Sequence, residues 1–207
     1  MFDRDLRRIR VALTSKTLWK RRLVFILGAV AVGVASVAFA AVADRAQDVY
    51  VAIMHRAPYA LLILTPGGFA LFAWLTVRFF DGAQGSGIPQ AIAARRSGIP
   101  AHRARLLSAK VTLGKIGLTI AGLAVGASIG REGPTVQLGC AIMVALAGLV
   151  GIGRANGLIL VGAAAGIAGA FNTPLAGVMF AIEEMAKSYD KRLTGLISAA
   201  VVISGLV

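Results

Sequence analysis

Residues 130–134, Gly-Arg-Glu-Gly-Pro, place a charged pair at a predicted helix start between two apolar segments. Pro134 suits the first helical position because it lacks the N–H group that would be unpaired there, and Gly133 permits close approach to the backbone. A helix start carries free N–H groups and roughly half a positive charge, so it favours an anion. A charged Glu132 would fill that anion site, and a protonated one would leave it. This pattern predicts a gate; the alternative is that Glu132 only caps the helix or pairs with Arg131.

A second candidate anion loop covers residues 82–90, Gly-Ala-Gln-Gly-Ser-Gly-Ile-Pro-Gln, and precedes a short helix predicted over 89–96. Its glycines and proline leave backbone N–H groups free at a helix start, beside the Ser86 hydroxyl. Non-helical backbone at membrane depth is tolerated where it is buried in protein or lines a cavity. The alternative is a surface turn. A second Ser-Gly-Ile-Pro at 97–100, set among arginines, is interpreted as a solvated turn.

A third helix start, Phe-Asn-Thr-Pro at 171–174, has Thr173 as its candidate N-cap. The helix predicted over 174–187 ends in Glu183 and Glu184, where two adjacent carboxylates meet the negative end of the helix dipole. A proton-accepting role is therefore predicted; the alternative, favoured for Glu183, is a side chain in cytoplasmic water. Lys115 lies deep enough in its predicted helix to raise the electrostatic potential along an anion path, or it reaches the membrane interface as Lys110 does.

The composition indicates a polytopic membrane protein. Of 207 residues, 57% are hydrophobic and only 15% charged, with a mean hydropathy of +0.79. The net charge of +13 is concentrated in residues 1–22, in a loop at 95–105 and in another at 187–192. Excess Lys and Arg in short loops marks the cytoplasmic side, so the N-terminus is predicted to be cytoplasmic. No basic stripe is interleaved with aromatic residues, which argues against nucleic acid as a partner.

Residues 1–22 are predicted to form a basic segment at the cytoplasmic surface, and residues 23–207 are predicted to form a membrane domain. A retained first span is favoured over a signal peptide at 23–43 because the apolar run is long and more spans follow. The remaining predictions are a loop at 44–56, a second span at 58–80, and helices over 106–130, 134–152, 156–170 and from 193 onward. In the helix over 106–130, Gly122, Gly126 and Gly130 are predicted to form one close-packing face.

Motifs for an enzyme, a metal or a cofactor are missing from the sequence. It contains no phosphate-binding loop and no full dinucleotide fingerprint. His55 and His102 lie in separate predicted loops, and with Cys140 as the single cysteine a zinc site is not expected. Cys140 is predicted to be a small core residue. Two function classes remain, an ion pathway and a structural membrane scaffold.

Taken together, the motifs at 85–89, 130–134 and 162–184 resemble the CLC family of chloride channels and chloride–proton antiporters. The resemblance implies an all-α, polytopic fold with tilted and half-spanning helices, of which this chain matches the first half of an inverted-repeat transporter. It implies that Glu132 is the gate, that Glu132 and Glu184 transfer protons, and that Lys115 lies near the internal anion entrance. The residues that it places at the anion are Ser86, Gly87, Ile88, Arg131, Glu132 and Gly133.

The function implied by the resemblance is chloride transport by chloride–proton exchange, because the position of Glu184 is apolar in many channels of the family. Ser86 favours chloride over nitrate. The alternatives are a passive channel of the same family and a non-conducting truncated fragment or partner subunit. Expected partners are chloride, protons, the lipid bilayer and a second copy in a homodimer, and the expected location is a bacterial inner membrane. One departure is Gln90, where many members carry an acidic residue; a small effect is expected.

Overall fold

The computed structural model describes residues 16–97, 99–151, 156–186 and 191–206, and every regular element among them is a helix. The helices are α1 (Lys16–Arg56), α2 (Leu61–Phe79), α3 (Ile88–Arg96), α4 (Pro100–Leu106), α5 (Ala109–Ala124), α6 (Glu132–Leu149), α7 (Asn156–Phe171), α8 (Pro174–Phe180) and α9 (Lys191–Gly205). A 3₁₀ turn (Pro58–Ala60) precedes α2, and a π-helical segment (Ala181–Ala186) continues α8. The all-α prediction is confirmed. The helices predicted over 89–96, 156–170 and from 193 are also confirmed, with starts or ends shifted by one or two residues.

Helix α7 lies at the centre of the fold and packs against α6, α9, α1 and α8. All residues from 159 to 169 are buried, and most of them are glycine or alanine. Small residues let a neighbouring helix approach until the backbones touch. The backbones of α7 and α6 touch where Gly162 of α7 meets Gly139 of α6. A Cβ atom on either glycine would overlap the carbonyl oxygen of the other. Gly166 approaches the carbonyl of Thr135 in the same way.

The predicted loop at 44–56 is wrong, because α1 continues without a break to Arg56. The segment contains neither glycine nor proline, and the helix ends just before Pro58, which disfavours helical geometry in the residue preceding it. Two buried alanines, Ala43 and Ala46, pack with Leu123 of α5. The polar residues of this segment therefore occupy the outer face of a helix.

The single helix predicted over 106–130 is also wrong. Ser108 interrupts it, since its side chain caps α5 by accepting a hydrogen bond from the N–H of Val111 at 3.3 Å. Helix α5 then ends at Ala124, and Gly126 has a φ of +93° that a helix does not allow. The ring of Tyr50 lies against Gly126. The predicted face of Gly122, Gly126 and Gly130 therefore does not form: Gly126 and Gly130 lie beyond the helix.

Four helical stretches of the described residues are long and apolar enough to cross a membrane, namely Arg22–Arg56, Pro58–Phe79, Pro100–Ala124 and Glu132–Leu149. Helices α7 and α9 are apolar but shorter. Helix α2 packs mainly against α5, and none of its residues is buried, so nearly its whole apolar surface faces outward. Four stretches of this length and composition are typical of a multi-pass membrane protein.

The predicted division at residue 22 stays a prediction. Residues 1–15 lie outside the described residues, and α1 already begins at Lys16. The predicted helix over 134–152 begins two residues earlier than expected, at Glu132. Pro134 is therefore the third helical residue, a position where its missing N–H group still costs no hydrogen bond.

Candidate functional site

The first turn of α6 leaves its backbone donors uncapped. Arg131 is the N-cap residue, and it makes no capping hydrogen bond through its side chain. The Thr135 hydroxyl turns the other way and donates to the carbonyls of Arg131 and Glu132, at 3.0 and 2.8 Å. The N–H groups of Glu132 and Gly133 therefore lack a capping side chain, and the carboxylate of Glu132 is exposed beside them.

The start of α3 meets the start of α6 backbone to backbone. Gly87 is the N-cap of α3, with a φ of +111° that favours glycine. A Cβ atom on Gly87 would lie 2.6 Å from the carbonyl oxygen of Gly133, and a Cβ atom on Gly133 would overlap the carbonyl oxygen of Ser86. Both positions require glycine for this reason. The structure thus brings together Ser86, Gly87, Glu132 and Gly133, four residues that the sequence analysis assigned to one site.

Lys115 holds the loop that carries Ser86. Its side chain is only 3% exposed, and its ammonium group donates to the carbonyl oxygens of Gln84 at 3.2 Å and Gly85 at 2.8 Å. Gln90 supports the same loop, because its amide nitrogen donates to the carbonyls of Gln84 and Gly82. The ammonium of Lys115 is therefore engaged with the loop backbone, a contact that the sequence analysis did not predict.

These contacts fix the direction of the neighbouring N–H groups. In a trans peptide the C=O and N–H bonds point in opposite directions, and the described backbone contains no cis peptide. The carbonyl of Gln84 shares a peptide with the N–H of Gly85, and the carbonyl of Gly85 shares one with the N–H of Ser86. With both carbonyls turned toward Lys115, these two N–H groups point away from it. Lys115 thus orients two donors next to the start of α3.

Gln137 lies fully buried behind the meeting point of α3 and α6. Its amide nitrogen donates to the carbonyl of Leu106 at 2.9 Å, which directs its amide oxygen toward Gly87. That oxygen has no hydrogen-bond partner among the described residues. A buried acceptor without a partner is costly, by about 1–3 kcal/mol, and the sequence pattern gave no indication of this one.

Arg131 directs its guanidinium away from the start of α3. One of its terminal nitrogens lies 2.6 Å from the carboxylate of Asp44, and the same atom lies 3.4 Å from the carbonyl of Ala40. Both partners belong to α1. The side chain of Arg131 therefore anchors the start of α6 to α1, and its predicted part in anion binding stays a prediction.

Glu184 lies in the π-helical segment that continues α8, and its side chain is exposed, as is that of Glu183. Single π-helical turns are rare and often occur at functional sites. Arg95, near the end of α3, donates to the carbonyl of Met185 in this segment at 2.7 Å. Arg95 belongs to the basic stretch at 95–105, which was predicted to be a loop. In that stretch, Arg103 is also tied inward, by hydrogen bonds to the carbonyls of Ala94 and Ser97.

The third predicted helix start is present but is not capped as expected. Thr173 occupies the N-cap position of α8, yet its side chain makes no capping hydrogen bond. Asn172 adopts a left-handed conformation, with a φ of +51°, and lines a cleft with Val37 and Ser204. Cys140 is buried as predicted, and its thiol lies 3.2 Å from the carbonyl of Ile159. No group of three or more His, Cys, Asp or Glu side chains suited to a metal occurs in the described part of the chain.

Comparison with known proteins identifies the family. Residues 67–207 match the family model described as voltage gated chloride channel. The H(+)/Cl(−) exchange transporter ClcA of Citrobacter koseri is 36% identical over 186 residues, covering 84% of this chain and 37% of that protein. The X-ray structure of a slow cyanobacterial Cl−/H+ antiporter has a TM-score of 0.73 and 28% identity, covering 89% of this chain and 45% of that one. The chain spans less than half the length of either relative.

The match includes both helix starts of the candidate site and extends over more than half of the chain. Both the backbone arrangement and the sequence relationship therefore support the same assignment. The chain belongs to the CLC family, the family of voltage gated chloride channels.

Proposed function

We propose that this chain contributes the gate and one anion-binding face of a pathway that exchanges chloride for protons across a membrane. The observation that carries the proposal is the contact between the starts of α3 and α6, where Gly87 and Gly133 lie backbone to backbone. Two uncapped helix starts at one point concentrate N–H donors and positive dipole ends, which is an arrangement that favours a dehydrated anion.

Glu132 is the proposed gate. Its carboxylate lies at the first position of α6, so in the charged form it competes with an anion for the same N–H groups. In the protonated form it loses that attraction and leaves the site to chloride. One group that alternates between binding a proton and yielding to an anion couples the two fluxes.

Glu184 is the proposed proton acceptor on the other side of the pathway. Its exposure gives it access to protons from water, and its segment is tied to α3 through Arg95. The match to two proteins named as exchangers supports exchange over passive conduction. A passive channel of the same family is the second candidate, because the exposed carboxylate of Glu184 is also compatible with a surface role.

Flux measurements on the protein reconstituted in liposomes test this function. Chloride release and proton uptake are recorded together for the wild type and for Glu132→Ala, Glu184→Gln and Glu183→Gln. We expect Glu132→Ala to move chloride without protons, and Glu184→Gln to lose proton movement while keeping chloride movement. Glu183→Gln is the matched control, since it removes the neighbouring exposed carboxylate, and it should behave as the wild type.

Three results would contradict the proposal. Proton movement that persists in Glu132→Ala would remove Glu132 as the gate. Chloride movement without proton movement, even in the wild type, would favour the alternative of a passive channel. A preparation that moves neither ion would favour the non-conducting alternative, and calorimetric titration with chloride would then show whether an anion still binds.

The location and assembly follow from the same proposal. We propose that the protein lies in a bacterial inner membrane, with the basic residues 1–22 on the cytoplasmic side, and that it forms a homodimer. The excess of Lys and Arg in this segment supports the orientation. The family resemblance alone supports the dimer, so light scattering of the purified protein in detergent is its test.

A further inference from the structure

Helix α3 touches the segments of both candidate proton carriers, one at each end. At its start, Gly87 lies against Gly133 in the first turn of α6, directly after Glu132. Near its end, the guanidinium of Arg95 donates to the carbonyl of Met185, directly after Glu184. The nine-residue helix α3 therefore lies between the segments that carry Glu132 and Glu184. At 1.5 Å per residue it is roughly 13 Å long.

Arg95 donates a hydrogen bond to a backbone carbonyl at the end of the π-helical segment. The last carbonyls of a helix lack partners within it, and a cation near them is favourable because the dipole is negative there. Met185 is buried and Arg95 is half-buried, so the bond is partly shielded from water. The π-helical segment and α3 also both pack against α7, and the hydrogen bond joins the two directly.

A second donor of the Arg95 guanidinium, its Nε atom, is buried and makes no hydrogen bond to the described residues. Its neighbour Arg96 is exposed and carries the same charge in water. The contact with the π-helical segment therefore distinguishes the half-buried Arg95 from its exposed neighbour Arg96.

We propose that Arg95 is a positioning residue for proton transfer, holding the Glu184 segment at a fixed spacing from Glu132 by means of α3. This inference rests on the proposed exchange function and adds a residue to it. Proton transfer requires groups or bridging waters within hydrogen-bond reach, so it is sensitive to a shift of the segment. Chloride binding at the start of α3 does not involve this end of the helix.

The transport test uses Arg95→Met, which keeps an unbranched stem of similar bulk and removes the guanidinium donors, and Arg95→Lys, which restores a cationic donor group. In liposomes we expect Arg95→Met to lower proton flux on the order of tenfold, since a displacement of about 1 Å can slow a step up to about a hundredfold. Chloride flux should change little. Arg95→Lys should recover most of the proton flux, and Arg96→Met, the matched control on the same helix, should behave as the wild type.

Hydrogen exchange provides a readout that does not depend on transport. Amides of residues 181–186 should exchange faster in Arg95→Met than in the wild type, because the segment loses its tie, while those of residues 132–149 should be unchanged. Arg95→Lys should restore protection. A uniform loss of protection over all helices would instead indicate general destabilisation and would overturn the positioning role.

The two proposals fail in different ways. If Glu132→Ala uncouples the fluxes but Arg95→Met keeps wild-type coupling and wild-type exchange at 181–186, the positioning role is wrong and the exchange function stands. If Glu132→Ala leaves coupling intact, the exchange mechanism is wrong. Faster exchange at 181–186 in that case would leave Arg95 as a structural tie only, which also overturns its role in proton transfer.

Discussion

The α-carbon of Gly133 lies against the carbonyl oxygen of Ser86, with no space for a methyl group between them. The contact joins two segments whose contacting residues are 47 positions apart in the sequence. It defines the distance between the two uncapped helix starts, so it defines the space in which an anion would be held. Changes at this contact are therefore expected to alter anion binding before they alter the fold.

Gly133→Ala should weaken chloride binding strongly. The added Cβ atom would overlap the carbonyl of Ser86 and separate α3 from α6, and overpacking of this kind costs about 1–3 kcal/mol. If that cost falls on the bound state, it corresponds to a loss of about tenfold or more in affinity. Calorimetric titration with chloride measures it. Gly130→Ala is the control, because nothing lies within 4 Å of its Cβ position; equal affinities in the two variants would contradict the assignment.

Lys115→Met should also weaken chloride binding, because the carbonyls of Gln84 and Gly85 lose their donor and the adjoining N–H groups lose their fixed direction. Lys110→Met removes an exposed lysine from the same helix and should have little effect. Titration at low and high ionic strength separates two roles. An effect that salt does not reduce supports orientation of the loop, whereas one that fades as screening increases supports the predicted charge at an anion entrance.

Arg131 and Asp44 should behave as one unit. Their ion pair is partly exposed, so we expect a coupling energy of about 0.2–1 kcal/mol in a double-mutant cycle with Arg131→Met and Asp44→Asn. The cycle is measured by unfolding in detergent, and chloride affinity is measured for the same proteins. If the guanidinium serves only as an anchor through Asp44, Asp44→Asn and the double mutant should have equal affinity. A further loss caused by Arg131→Met in the Asp44→Asn background would show direct attraction of the anion.

Gly139→Ala should destabilise the fold without a specific effect on chloride. Its Cβ atom would overlap the carbonyl of Gly162 at the crossing of α6 and α7, where neither backbone has room to move. The expected loss is about 1–3 kcal/mol or more in the free energy of unfolding. Gly148→Ala, in the same helix but with open space at its Cβ position, should be neutral or slightly stabilising. Equal stability of the two variants would contradict the tight crossing.

The sequence predicted the local features of this site and missed its long-range ones. The starts of α3 and α6 are marked by glycine and proline, whose effects on the backbone are local, so both were located to within two residues. That the two starts meet was an expectation, and the structure agrees with it. The carbonyl partners of Lys115 lie 30 and 31 residues away in the chain, and local patterns carry no information on such pairs.

The error at 44–56 has a related cause. Charged residues suggested a loop, but a helix tolerates them on any face that is not buried. Asp44 finds its partner in Arg131, 87 residues later, and Tyr50 packs on Gly126. Both contacts depend on the tertiary fold. The absence of glycine and proline from this segment was the one local signal that favoured a continuous helix.

The crossing of α6 and α7 limits which parts of the molecule can move during turnover. Two helices that touch through bare backbone cannot slide or rotate past each other without a collision, so the scaffold around Glu132 behaves as a rigid body. The proposed gate then moves by rotamer changes of the Glu132 side chain against a fixed backbone, and exposed rotamers interconvert in about picoseconds to nanoseconds.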